Sequence, residues 1–282
     1  MPSTTHLSLL SGALARLQPV GASHDDVRRY SRARRNVLPR ADHVTAVSGG
    51  WAHEVVLRSD ATVDVVFWSP GDRPHPELEG TAARVVARAA RAYRVSERVL
   101  ARLQPDGSAP ALLSLVRLPQ TEPAHVLTGS ARLVLVADGI EYAGNLGTLV
   151  RTADACAADA LVLTRATARV THPKVFAASR GTVLTTPVLT FDTIAEARAC
   201  LAGAGFTAYV ADPSGATPYR SAGLGTGRTA GVVGSEGDGV SDEWRAGLTR
   251  VAIPMHGHAD SLNVAASAAV LLFEARAALD DT

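Results

Sequence analysis

The chain has 282 residues, 46% of them hydrophobic and 20% charged, with a net charge of +1. That length allows two domains with separate cores, and that composition excludes disordered and fibrous classes. No run approaches the roughly 18 apolar residues that span a bilayer. The opening residues "MPSTTHLSLLSGALARLQPV" lack the basic start of a secretory signal. Cys156 and Cys200 are too few and too far apart for a metal site or disulfide framework, so a reducing cytoplasm is expected.

In chain order, the first feature is "RRYSRARRNVLPR", Arg28 to Arg40, with six arginines in thirteen residues and no acid. It reads either as a solvated helix face or as a phosphate-contacting patch of Arg28, Arg29, Arg32, Arg34 and Arg35. "VTAVSGGWAHEVVLRSD" reads as a helix, with Ala52, Val55, Val56 and Ser59 at helical spacing, and Val63 to Trp68 as a buried strand. "PELEGTAARVVARAARAY" is a second helix and "ALLSLVRLP" a second strand. Together they make a small α/β domain over residues 1–118. Residues 119–130, rich in Pro and turn formers and without periodicity, read as a linker.

From residue 131 to 282 strands and helices alternate. "ARLVLVADG" is a strand, "NLGTLVRTADACA" a helix, "ALVLT" a strand, "HPKVFAASRGTV" a helix and "PVLTF" a strand. "TIAEARACLAGAG" is a helix, "TAYVAD" and "TAGVVGSE" are strands, "EWRAGL" is a short helix and "RVAIPM" the last strand. Such alternation predicts a mostly parallel sheet covered on both faces, with ligands at the carboxyl ends of its strands. Gly257 to Leu279 reads "GHADSLNVAASAAVLLFEARAAL", where polar Asp260, Ser261 and Asn263 open a long apolar helix. A helix start carries unpaired N–H groups suited to a ligand, although simple N-capping also explains these residues.

Three loops after strands carry Gly, Asn, Ser and Glu. In "DGIEYAGNLGTLVRTADA", Asn145 and Gly147 stand at a helix mouth and Arg151 lies six residues on. "AGVVGSEGDGVSDEW" sets Gly234, Gly237 and Gly239 around Ser235 and Glu236. "IPMHGHADSLNVAASA" is the third. Each alone is explained by capping, packing or a glycine turn. Neither a dinucleotide fingerprint nor a Walker sequence is present, and His256 and His258 lack a third ligand, so no metal is expected.

In combination and order, these motifs resemble the three motifs of the SPOUT methyltransferases, and more narrowly the TrmH-like RNA 2'-O-ribose methyltransferases, over Leu133 to about Leu279. "ADPSGATPY" is a loop that this branch often carries. The resemblance implies a parallel-sheet domain tied in a deep trefoil knot, a homodimer, and S-adenosylmethionine held by Val210, Ala211, Gly234, Ser235, Glu236, Gly237, Ile253, Met255, Ser261, Leu262 and Asn263. The earlier region, about Arg32 to Pro119, is more weakly similar to an L30e-like RNA-binding domain. It departs from that pattern at Gly49-Gly50 and at "GSAPALL".

Arg151 aligns with the family's essential arginine. A guanidinium is a poor base, so its expected role is to bind phosphate and stabilise developing negative charge. Asn145, Ser261 and Asn263 would position Arg151 and the ribose, and Glu236 would anchor its loop or orient Arg151. The expected substrate is structured RNA, rRNA before tRNA. The arginine- and alanine-rich composition hints at a GC-rich genome, and in such bacteria several enzymes of this branch protect rRNA from antibiotics, so 23S rRNA and a resistance role are the expectation. A small-molecule methyltransferase and a non-catalytic RNA-binding protein are the rival readings.

Overall fold

The structure, a computed structural model, describes residues 14–70, 76–104, 111–235 and 237–281. The chain divides into two compact units: Met1–Pro119 with Thr171–Ala177, and Gln120–Val170 with Ala178–Thr282.

The first unit contains β1 (Gln18–Pro19), α1 (Asp25–Arg34), β2 (Val44–Ser48), α2 (Gly50–Arg58), β3 (Thr62–Trp68), α3 (Pro76–Arg88), β4 (Ala89–Arg94), α4 (Glu97–Leu103) and β5 (Leu112–Arg117). Its sheet runs β1-β4-β3-β5-β2, with β4 parallel to β1 and β3, and β5 antiparallel to β3 and β2. On one face Val27, Tyr30 and Ala33 of α1 and Val99, Leu100 and Leu103 of α4 pack with Val65, Phe67, Leu113 and Leu115. Elsewhere in this unit α2 and α3 pack on each other.

Two segments depart from expectation here. Val44–Ser48, read as the start of a helix, is a strand, because "VTAVS" is β-branched and pairs along its whole length with β5. Gly49, with φ of 84°, turns the chain so that the helix starts only at Gly50. The helix read through Tyr93 ends at Arg88, and Ala89–Arg94 joins β3 in parallel. Tertiary pairing here overrides the helical propensity of Ala and Arg. Arg88 itself donates to the carbonyls of Val56, Leu57, Ser59 and Ala61, which satisfies the end of α2.

The second unit contains α5 (Pro123–Val126), β6 (Leu133–Asp138), α6 (Ala143–Ala155), β7 (Ala160–Thr164), β8 (Val188–Phe191), α8 (Ile194–Gly203), β9 (Thr207–Ala211), β10 (Thr217–Pro218), β11 (Thr229–Val233), α9 (Asp242–Arg245), β12 (Thr249–Ala252) and α10 (Val264–Asp280). The helix expected over "HPKVFAASRGTV" is shorter, α7 (Pro173–Ala178), followed by a 3-10 turn at Thr182–Leu184. Left-handed Arg180 and Gly181 separate the two. The last strand also stops early, at Ala252, before Pro254.

All seven strands are parallel, in the order β10-β12-β9-β11-β6-β7-β8. Ile194, Ala197 and Leu201 of α8 and Trp244 of α9 pack on Val134, Val136, Val162, Val210 and Val232. α6 and α10 pack on each other, and α10 rests on β6 and β11. This is the α/β architecture with a parallel sheet expected from the alternating strands and helices. Arg276 of α10 donates to the carbonyls of Cys156 and Ala157, at 2.9 and 2.7 Å, and so caps the C-terminus of α6. The loop before β11 approaches α10 so closely that a Cβ on Gly225 would lie 2.2 Å from the carbonyl oxygen of Ala275.

Candidate active site

β9, β11 and β12 are neighbours in the sheet and end together, so the loops leaving them converge at one edge. A cavity of about 270 Å³ opens there. Ala211, Asp212 and Pro213 line it from the first loop, Gly234, Ser235 and Gly237 from the second, and Ile253 and Met255 from the third. Asp260, Ser261, Leu262, Val264 and Ser267 close it from the entrance of α10. Glycines and apolar residues make up most of the wall, with Asp212, Asp238, Asp260 and three serines as its polar groups, the usual constitution of a small-molecule site.

The glycine loop shows why its sequence is needed. Gly239 N–H donates to the Ser235 carbonyl at 3.0 Å, and Asp238 N–H donates to Ser235 Oγ at 3.2 Å, closing a tight turn. That turn folds back on Gly234, where a Cβ would stand 2.0 Å from the carbonyl carbon of Gly239. Glu236, expected to anchor this loop or orient Arg151, lies outside the described residues.

Asn263 is the N-cap of α10. Its Oδ1 accepts Ala265 N–H at 2.9 Å, and its Nδ2 donates to Asn145 Oδ1 at 3.4 Å. Two of the expected site residues, 118 positions apart, thus meet across the starts of α6 and α10. Arg151 is exposed on α6 and is not among the residues lining the cavity. Val210, fully buried in β9, and Asn263, both expected at the cofactor, also do not line it; Asp212 and Pro213, outside the expected set, do.

Two buried carboxylates hold the loops in place. Asp138, at the end of β6, is fully buried. It accepts both Arg165 donors at 2.9 Å, Thr164 Oγ1 at 3.0 Å and Ser241 N–H at 3.0 Å. Trp244 Nε1 completes the group by donating to Thr164 Oγ1 at 3.0 Å. Burial alone would raise the Asp138 pKa, but the Arg165, Ser241 and Thr164 hydrogen bonds outweigh it and hold the carboxyl below its ordinary range.

Asp212 receives Arg250 Nε at 2.8 Å and both Ser214 donors at 2.9 and 2.8 Å, with Arg245 Nε 3.4 Å away. Again burial pushes its pKa up, and Arg250 and Ser214 bring it below the usual range. Sequence reasoning passed over both groups. Their shared signal is a charged residue at the carboxyl end of an apolar strand, "LVLVAD" and "YVAD".

The arginine run belongs to the first unit. Arg28, Arg32 and Arg35 are exposed at helical spacing, Arg28 pairing with exposed Asp25 and Arg35 Nε donating to the Ser31 carbonyl at 3.3 Å. Arg29 is turned inward, with Asp64 at 3.1 Å and Asp42 at 3.8 Å, and Arg34 Nε donates to Gln104 Oε1 at 3.4 Å. The run is therefore part surface and part internal clamp. Among the described residues no group of His, Cys, Asp or Glu could hold a metal ion, and no helix is long and apolar enough to cross a membrane.

A doubly covered parallel sheet with a glycine-rich cavity at its strand ends defines a class of ligand-binding α/β proteins, and the comparisons narrow it. The sequence pattern of the SpoU rRNA Methylase family matches residues 132–273. The chain is 32% identical over 200 residues, 69% of its length and 70% of the relative's, to an uncharacterised tRNA/rRNA methyltransferase of Synechocystis. It is 30% identical to the 23S rRNA (guanosine(2553)-2'-O)-methyltransferase RlmP of Bacillus subtilis, over 65% of this chain and 72% of that one. The AdoMet-bound rRNA methyltransferase from Sinorhizobium meliloti superposes with a TM-score of 0.80 over 93% of this chain and 98% of that one, at 22% identity. The chain belongs to the SpoU rRNA methylase family, a family of RNA methyltransferases.

Proposed function

We propose that this protein transfers a methyl group from S-adenosylmethionine to a ribose 2'-hydroxyl of structured RNA in the cytoplasm, with 23S rRNA as the first substrate to test and tRNA the second. The observation that carries the reading is the cavity at the ends of β9, β11 and β12, closed by Ser261 and Leu262 and tied through Asn263 to Asn145. Its glycine wall suits a cofactor held largely by backbone groups, since Gly234 tolerates no side chain and leaves the turn against the cavity. The AdoMet bound in the S. meliloti protein and the 2'-O chemistry of RlmP support this choice. When bound, the cofactor supplies an electrophilic methyl for in-line displacement.

What the chain supplies is placement and charge. Asn145 and Asn263 hold the starts of two helices together and present amide groups for the ribose. Arg151 neutralises the phosphate and the charge growing on the attacking oxygen. Because Arg151 stands outside the cavity of its own chain, a second copy is the natural source of the arginine at each site. The α6 face around it, with exposed Gly144, Thr148 and Ala155, is small enough for close helix approach, and exposed Phe273 lies on α10. A homodimer built on these faces completes two sites.

The close approach of Gly225 to α10, together with the convergence of three strand-end loops around the entrance of that helix, supports a trefoil-knotted C-terminal domain. The first unit is the L30e-like RNA-binding part of this proposal, with Arg28, Arg32 and Arg35 on its exposed helix face. Labelled S-adenosylmethionine incubated with total rRNA and total tRNA tests the reading. Label in a 2'-O-methylated nucleotide is expected, and its position shows whether an antibiotic site is protected. Label in neither RNA refutes the proposal.

A further inference from the structure

Tyr142 has 64% of its surface exposed, more than any other large hydrophobic or aromatic side chain among the described residues. It is the N-cap residue of α6, and its carbonyl accepts Leu146 N–H at 3.0 Å, yet its side chain makes no capping hydrogen bond. Ser, Thr, Asp or Asn would cap better, and neither packing nor capping accounts for an aromatic ring here. Its location does. Asn145, about one helical turn or 5 Å further along the axis, is bonded to Asn263. Leu262, another exposed apolar side chain, immediately precedes Asn263 and lines the cavity. An unused aromatic face and an apolar wall thus accompany the polar pair at the start of the two helices.

We propose that Tyr142 is the stacking platform for an unpaired nucleobase of the RNA, and so a specificity-determining residue of the site; this rests on the function proposed above. A nucleotide whose ribose reaches the Asn145–Asn263 pair has to leave its own stack, and its base then needs a flat partner. A tyrosine ring supplies one without reading base edges, so the selection it makes is for an unpaired base and for the larger purine ring over a pyrimidine. The oligomer reading competes with this, because an exposed aromatic also suits a subunit interface, and the test separates the two.

The 282-residue chain and its Tyr142→Ala and Tyr142→Trp variants are titrated with ten-nucleotide oligoadenylate and oligouridylate. Stacking predicts that Tyr142→Ala binds oligoadenylate roughly 5- to 100-fold more weakly and loses its preference over oligouridylate. Tyr142→Trp restores both, and its added fluorescence is quenched by oligoadenylate. S-adenosylmethionine affinity and sedimentation stay unchanged in both variants. Equal binding by Tyr142→Ala and the parent overturns the proposal, as does a change in its assembly state. If the parent methylates RNA while the variants match it, only stacking fails; if the parent binds neither RNA nor S-adenosylmethionine, the function fails and stacking with it.

Discussion

His53 gives a prediction whose size follows from the structure. It is fully buried in α2, with Nδ1 2.7 Å from the Gly49 carbonyl and Nε2 2.8 Å from Ser114 Oγ. A carbonyl only accepts, so Nδ1 carries the proton and Nε2 accepts the serine hydroxyl, which fixes the neutral ring. Burial lowers its pKa from 6.5 to about 4, against smaller raising effects of the Gly49 hydrogen bond and Glu54. A base with a depressed folded pKa is protonated first in the unfolded chain. Its contribution is therefore complete above pH 6.5 and is lost as pH falls through 6.5 toward 4. Between pH 7.5 and 5 the loss is about 2 kcal/mol, at about 1.36 kcal/mol per unit. Urea unfolding of the parent and of His53→Gln at both pH values isolates it, because all other titrations cancel in the difference. The variant is expected to be less stable at pH 7.5 but to lose about 2 kcal/mol less on acidification. Parallel losses in the two proteins would refute the assignment of a neutral, buried ring.

Gly234→Ala drives a methyl group into Gly239 and should weaken S-adenosylmethionine binding on the order of tenfold or more, read by calorimetry; unchanged affinity means the turn is not a cofactor wall. Arg151→Ala should reduce methyl transfer by about 100- to 1000-fold while cofactor affinity holds, since the guanidinium lies outside the cavity. Loss of cofactor binding in that variant would make Arg151 structural. Replacing exposed Arg28, Arg32 and Arg35 with Ala should lower the salt slope of RNA binding by about 0.7 to 0.9 for each phosphate contact removed, whereas an unchanged slope returns them to a solvated face. Arg29→Ala should instead lower the stability of the first unit by freeing half of the Arg29–Asp64–Arg117 clamp.

The cavity loops were legible because their chemistry is local. Gly234 is required by a turn closed within five residues, and Asn263 caps the helix that follows it, so sequence pattern and geometry carry the same information. Contacts set by the fold were not legible. Asp138 meets Arg165 across 27 positions and Ser241 across 103, and no periodicity links them. The same holds for the arginine run: its helical period separates faces, but only Asp64 on β3 determines that Arg29 turns inward. Ala89–Arg94 reads as helix for the related reason that a neighbouring strand, not its own composition, makes it a strand.

These distant contacts also divide the molecule's response to acid. Ser241 and Trp244 tie α9 to the Asp138 group, and Arg245 of the same helix reaches Asp212, so two carboxylates brace the exit of the glycine turn. Both have pKa values below the ordinary carboxylate range, so the stability they give is present above that range and disappears only as pH falls through their lowered values. His53 acts earlier, from pH 6.5 downward, and in the other unit. Acidification to pH 5 should therefore weaken the first unit while the cavity at the strand ends of the second keeps its shape. RNA affinity should fall with pH before S-adenosylmethionine affinity does, and His53→Gln should narrow the gap between the two curves. If both affinities fall together in the parent and the variant alike, the cavity is not preformed by these carboxylates.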